Sequence, residues 1–217
     1  MTCPEKALAP SRREARRLDR RQTILEVAAR HFLENGYAAT SMSAIAAILG
    51  GSKGTLWNHF PSKEELFRAV LENATSTYRA RLSEILDPGG DLASTLHRTA
   101  LSLLEKVTSP EAIALHRLIA SEGGRFPEMS RIFYEMAPSH TRMLLARFLE
   151  GAMDRGQLRR DDPDKAARVL MRLTTSGCHE LLLLSQIERV TPQQMESDAA
   201  FAVDIFLRAY GAEGMAR

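Results

Sequence analysis

The chain has 217 residues, 44% of them apolar and 26% charged, which fits one large domain or two small ones with a real core. Its net charge of +2 is unevenly placed: nine Lys/Arg face five Asp/Glu through Phe60 (+4), while the remainder carries twenty against twenty-two (−2), the footprint of a nucleic-acid module joined to a near-neutral body. No apolar run reaches bilayer length, the start lacks an apolar leader, and Cys3 and Cys178 lie far apart, so a membrane partner and a disulfide framework are excluded and a reduced, cytoplasmic protein is expected.

Residues 1 to 11 carry Pro4 and Pro10 without periodicity and are expected to be disordered. Arg12, Arg13, Arg16, Arg17, Arg20 and Arg21 follow, interrupted by Glu14 and Asp19. They read either as the solvated start of a helix or as an arm that neutralises phosphates, and their place directly before the next motif favours the arm. Residues 1–16 are therefore expected as a flexible basic arm, 17–66 as a small helical domain, and 67–217 as a second, larger helical domain. Ile24, Ala28 and Phe32 share one face of a helix over about 17–35, with Gly36 as its cap and Tyr37 packing back.

The stretch Thr40 to Lys63 organises the rest. Thr40 or Ser41 caps a short helix with Ile45, Ala46 and Leu49 on one side; Gly50 and Gly51 break it. Ser52 caps a second short helix, Lys53 to Phe60, whose buried side holds Leu56 and Phe60 four apart. Pro61 ends that helix, and Ser62 with Glu65 has capping-box spacing for the next. Two short helices across a glycine turn describe a helix-turn-helix. The second helix presents Lys53, Gly54, Thr55, Trp57, Asn58 and His59 away from Leu56 and Phe60: donors, a bare backbone and no acid, as a phosphate-lined groove requires.

Ile45-Ala46, Ser52-Lys53-Gly54-Thr55-Leu56 and His59-Phe60-Pro61-Ser62-Lys63-Glu64-Glu65-Leu66 together resemble the DNA-binding motif of the TetR/AcrR family of bacterial transcriptional regulators. Two positions depart from the pattern. The family usually has a branched apolar residue where this chain has Gly51, and a Tyr where it has Trp57. Trp keeps a flat ring and one N–H donor. The resemblance implies DNA contacts from Thr40, Ser41, Ser52, Lys53, Gly54, Thr55, Trp57, Asn58, His59 and Lys63, with Lys63 and the Thr40 hydroxyl on phosphates and Gly54 and Thr55 nearest the bases.

Beyond the motif the periodicity stays helical. Leu66, Phe67, Val70, Leu71, Tyr78 and Leu82 lie at helical spacing up to Asp87-Pro88-Gly89-Gly90. Further helices are expected over about 91–107, from Ser109-Pro110 to about 121, from Pro127 to about 155 with a kink at Pro138, from Asp162-Pro163 to about 186, and from Thr191-Pro192 to about 210. The fold is expected to be all-α with about nine helices. Residues 121–138, including Arg125-Phe126-Pro127-Glu128 and Phe133-Tyr134, resemble the C-terminal region of the AefR-like subgroup of the same family. Family members dimerise through their last two helices, so the resemblance implies an interface from residues such as Leu181, Leu184, Val203, Phe206 and Leu207. The apolar breadth of both segments agrees with that.

Cys178-His179-Glu180 is no catalytic triad, because neighbouring helical residues point about 100° apart. No histidine pair has zinc spacing, and Gly-Gly-Ser-Lys-Gly-Thr lacks the leading glycine of a phosphate-binding loop. No catalytic residue, metal or cofactor is expected. Leu103, Val107, Leu115, Ile119, Phe133, Met136 and Met143 serve equally as core or as the wall of an effector pocket, with His116 and His140 as its polar members; the resemblance, not the spacing, implies the pocket. Two readings remain. One is a homodimeric regulator, usually a repressor in the family, that binds an inverted-repeat operator on double-stranded DNA and is released by an unknown small apolar or amphipathic effector. The other is a helical ligand-binding or interaction module whose DNA head is impaired at Gly51 and Trp57.

Overall fold

The computed structural model describes residues 12–50 and 53–212 and gives eleven α-helices and no strand among them. Contacts divide the chain into two units at Val70/Leu71, four residues beyond the expected boundary. The first unit holds α1 (Arg12–Ala39), α2 (Met42–Ile48), α3 (Lys53–His59) and the start of α4 (Lys63–Ile85). The expected arm is in part a helix: α1 begins at Arg12, so the arginines from that point belong to its first turns, and residues 1–11 lie outside the described ones.

Gly36 sits at φ 84°, ψ 166° inside α1, outside the helical region, so the helix proper stops there and Tyr37 folds back. Tyr37 stacks on Phe32 at 5.6 Å, and Phe67 meets both edge-on at 5.1 and 5.3 Å. These rings, with Ile24, Leu25, Ala28, Ile45, Leu56, Phe60 and Leu66, are the buried core of the first unit. Each buried Leu, Ile or Phe among them contributes about 1.5–3 kcal/mol. Of the two possible caps for α2, Ser41 serves: its Oγ accepts from Ala44 N–H at 3.1 Å. Gly50, at φ 61°, ends α2 in the left-handed region. Ser62 Oγ accepts from Glu65 N–H at 3.1 Å and starts α4.

The second unit contains the remainder of α4 followed by α5 (Leu92–Val107), α6 (Pro110–Glu122), α7 (Pro127–Tyr134), α8 (His140–Asp154), α9 (Pro163–Thr175), α10 (Cys178–Leu183) and α11 (Pro192–Tyr210). Asp91, Ser109, Asp162 and Thr191 each cap a helix through a side-chain oxygen, and Pro110, Pro163 and Pro192 occupy first turns. Pro138 has no N–H to give, and around it Glu135–Ser139 widens into a π-helical turn between α7 and α8. The core lies where α11 packs against α5 and α9, and α8 against α9. Leu96, Leu104, Leu149, Ala166, Ala167, Leu170, Ala199 and Phe206 are buried there. The end of α11 is tied down by Arg159, whose N–H and guanidinium donate to Tyr210 O (2.8 Å) and Ala209 O (2.7 Å).

The helix expected from Asp162 to about Gln186 is two helices. Gly177 leaves helical geometry at φ −104°, ψ −115°, and the Asp198 carboxylate accepts from Cys178 N–H at 2.6 Å. A Cβ on Gly177 would meet that carboxylate at 2.3–2.5 Å, so the close approach requires glycine. Beyond the break α10 packs against α6 and α11 as well as α9.

Candidate nucleic-acid interface and interior polar cluster

α3 buries Leu56 (2%) and, just past its end, Phe60 (4%), which turns Gly54, Trp57 and Asn58 outward; Thr55 and His59 are half-buried. Trp57 is 38% exposed, with its ring available to a ligand on this face. Ser52 and the side chain of Lys53 lie outside the described residues. α1 brings basic groups to the end of α3. Arg21 lies over the Phe60 ring at 5.3 Å, and Arg20 donates to Leu49 O at 3.3 Å. Partial burial lowers the pKa of His59, and the charges of Arg17, Arg21 and Arg20 lower it further, so this end of α3 carries positive charge without needing an imidazolium. The cluster of Arg17, Arg20 and Arg21 beside an acid-free α3 makes an anion-seeking surface.

Two expected phosphate contacts look different in three dimensions. Thr40 is only 2% exposed; its hydroxyl donates to Gly36 O at 2.7 Å and lies 2.9 Å from His31 Nδ1. That side chain closes the turn between α1 and α2 and is withdrawn from any groove, which corrects the expectation. Ser41, next to it, is exposed. Lys63 donates to Tyr37 O and holds its ammonium 4.0 Å above the Tyr37 ring, while Tyr37 Oη donates to Glu64 at 3.2 Å. Hydrogen bonds, first to its own backbone N–H and then to Ser62 and Tyr37, hold the Glu64 carboxyl below its usual range, as does the Lys63 charge. Lys63 thus ties the head of α4 to the end of α1 at a half-exposed position.

In the second unit the candidate effector residues separate. Leu103 is buried; Val107, Leu115, Ile119, Phe133, Met136 and His140 are half-buried. Met143 is 41% exposed on α8, its sulfur 3.9 Å from Arg147, and so leaves the interior set. His116 and Phe133 do come together, rings edge-to-face at 5.4 Å, and a third ring joins them: His179 stands 5.4 Å from His116. Sequence reasoning met His179 only as a member of a triad, since nothing in adjacent residues says which one turns inward. Burial, then the neighbouring His179, lowers the pKa of His116 to about 4. Burial also lowers that of His179, against opposing contributions from the Thr175 carbonyl and Glu180. Cys178 is buried and its thiol is pushed up to about 12, first by burial and then by Asp198, so no thiolate nucleophile forms there.

The interface residues also divide. Leu181 (45%) and Leu184 (60%) are exposed, as are Phe201 (55%) and Val169 (36%), which the sequence reading did not single out. Val203 (6%) and Phe206 (0%) belong to the chain's own core, which corrects these two as interface residues, while Leu207 packs against that core and is half-buried. Among the described residues no helix is long and apolar enough to cross a membrane, and no group of three or more potential metal-ligating side chains occurs.

Comparison with known proteins agrees with this division. Residues 24–70 match the family model described as "Bacterial regulatory proteins, tetR family", and residues 94–212 match "AefR-like transcriptional repressor, C-terminal domain". The repressor KstR2 of Rhodococcus jostii is 31% identical over 158 residues, 70% of this chain and 74% of that one. A crystal structure of a TetR-family regulator from Mesorhizobium loti, 27% identical, superposes with a TM-score of 0.78 over 93% of this chain and all of the other. A structure titled "Flavonoid-responsive Regulator FrrA" is 33% identical, with a TM-score of 0.75 over 92% of this chain and all of that one.

Proposed function

Because the chain belongs to the TetR family of bacterial transcriptional regulators, we propose that it is a homodimeric repressor that binds an inverted-repeat operator and leaves it when a small molecule occupies its second unit. The observation that carries the DNA-binding reading is the outward face of α3, free of acid and flanked by Arg17, Arg20 and Arg21. Each α3 enters a major groove, with half-sites about 34–36 Å apart or somewhat more in a two-fold dimer. The exposed Leu181 and Leu184, with Phe201, form the apolar surface for the second copy. Effector control is supported by the relative described as flavonoid-responsive. α4 runs unbroken through the boundary at Val70/Leu71, so it is the covalent route by which the second unit acts on the head. An effector releases DNA only by binding the released arrangement better, since equal affinity shifts nothing.

Selection from random duplexes should return an inverted repeat, and the chain's one tryptophan, Trp57, should change fluorescence on binding it. Enrichment of a lone asymmetric half-site would contradict the reading. Two substitutions separate holding from reading. Lys63→Ala should weaken selected and random duplexes alike and reduce the salt slope by about one. Thr55→Ala should instead change the preferred base at one position per half-site. A Lys63→Ala protein with altered base preference and an unchanged salt slope would overturn the assignment.

A further inference from the structure

Residues 12–23 of α1 precede the stretch that matches the family model, residues 24–70, so the first turns of this helix lie outside the shared helix-turn-helix. Two half-buried arginines brace them against the rest of the first unit. Arg20 donates to Leu49 O at 3.3 Å at the end of α2, and Arg21 lies 5.3 Å from the Phe60 ring just past α3. One turn earlier, Arg16 and Arg17 are exposed, and neither has a hydrogen bond or ion pair among the described residues.

At about 100° per residue, Arg16 and Arg17 lie about 40° to one side and 60° to the other of Arg20, and Arg21 about 100° from it. The four arginines therefore share one face of α1. Asp19 and Glu14 fall about 100° and 120° from Arg20, outside that face, and the exposed Leu18 about 160° away. Because Arg20 and Arg21 meet the ends of α2 and α3, the face that carries Arg16 and Arg17 into solvent is on the side where α3 ends. At His59 there, burial and then the Arg17 charge oppose protonation. A recognition helix reads bases with its N-terminal residues, and this basic face runs past the other end of α3. An anionic membrane or an acidic protein would occupy the arginines and leave α3 idle. The backbone of a duplex that α3 enters covers both.

We infer that Arg16 and Arg17 form a second DNA contact, outside the recognition helix, that holds backbone phosphates beyond the base pairs α3 reads. Arg20 and Arg21 are the braces that fix its place. The inference rests on the DNA-binding reading above and adds to it a site that the helix-turn-helix does not contain. Binding of the full chain to selected operator and to random duplex is measured over a range of salt. Arg16→Gln/Arg17→Gln should lower the salt slope by about two per bound chain on both duplexes and leave the selected sequence unchanged. Arg16→Lys/Arg17→Lys keeps the charges and should keep the slope. Arg125→Gln/Arg189→Gln removes the same charge from exposed positions of the second unit and should also leave the slope alone. Neutral methylphosphonates, placed at one phosphate at a time, locate the contact. At one or two positions per half-site they should weaken the wild type about threefold or more and leave the Gln pair unaffected. Those positions should lie outside the base pair whose preference Thr55→Ala changes. An unchanged slope in the Gln pair, an equal fall in Arg125→Gln/Arg189→Gln, or no phosphate at which the two proteins differ would each overturn the assignment. Should the Gln pair lose helix by circular dichroism, the single variants Arg16→Gln and Arg17→Gln, each lowering the slope by about one, decide instead. A wild-type chain that binds no duplex would sink the DNA-binding reading itself, so the two failures are told apart.

Discussion

Phe206→Ala should cost the folded chain about 3–5 kcal/mol, the usual loss when a fully buried phenyl ring leaves a cavity. Phe206 has no exposed surface, stacks on Tyr210 at 4.7 Å and lies in the core formed by α5, α8, α9 and α11. Phe201→Glu should act oppositely. That ring is 55% exposed, so its loss opens no cavity, but a carboxylate on the surface assigned to the second copy should halve the sedimenting mass and abolish tight operator binding. Denaturant unfolding and sedimentation velocity, run on both variants, separate the effects. A Phe206→Ala protein that dissociates without losing stability, or a Phe201→Glu protein that stays dimeric, would return the interface to the residues first read from the sequence.

That contrast shows where the sequence runs out. Phe201 and Phe206 are both apolar positions of α11, yet five residues turn a helix by about 140°, which places them on different faces. A broad apolar stripe says that a helix is covered on more than one side; it does not say which side its own chain covers. The same limit explains Thr40, whose residue type suits either a phosphate or a buried turn until the approach of His31 and Gly36 O decides. Local signals fared better. Ser-Pro, Asp-Pro and Thr-Pro starts, the glycine stops at 36 and 50, and the helix-turn-helix spacing all follow from chemistry within a few residues, and the structure has them. The break at Gly177 was missed because its cause, Asp198, lies twenty-one residues farther on. His179 was misjudged for a related reason: its neighbours in space are on α6, not in its own segment.

Acid should expose the cost of burying His116. In the folded chain its pKa falls from the ordinary 6.5 to about 4, because burial and then His179 oppose the charged ring. The unfolded chain therefore binds a proton at this residue between those two values while the folded chain does not. Stability is lost as pH falls through that window and changes no further at this residue below about 4. The shift is worth about 3 kcal/mol over the whole window. The groups bearing on the pair stay unchanged in the variant His116→Phe: Arg172 and the Thr175 carbonyl on α9, and Glu180 on α10. Carboxylates that titrate near the same range contribute to both proteins and cancel in the comparison. Urea unfolding at pH 7 and pH 4.5 should thus show wild type losing about 2–3 kcal/mol more than His116→Phe between the two conditions. Parallel losses in the two proteins would mean that the His116 ring is not held neutral by the fold.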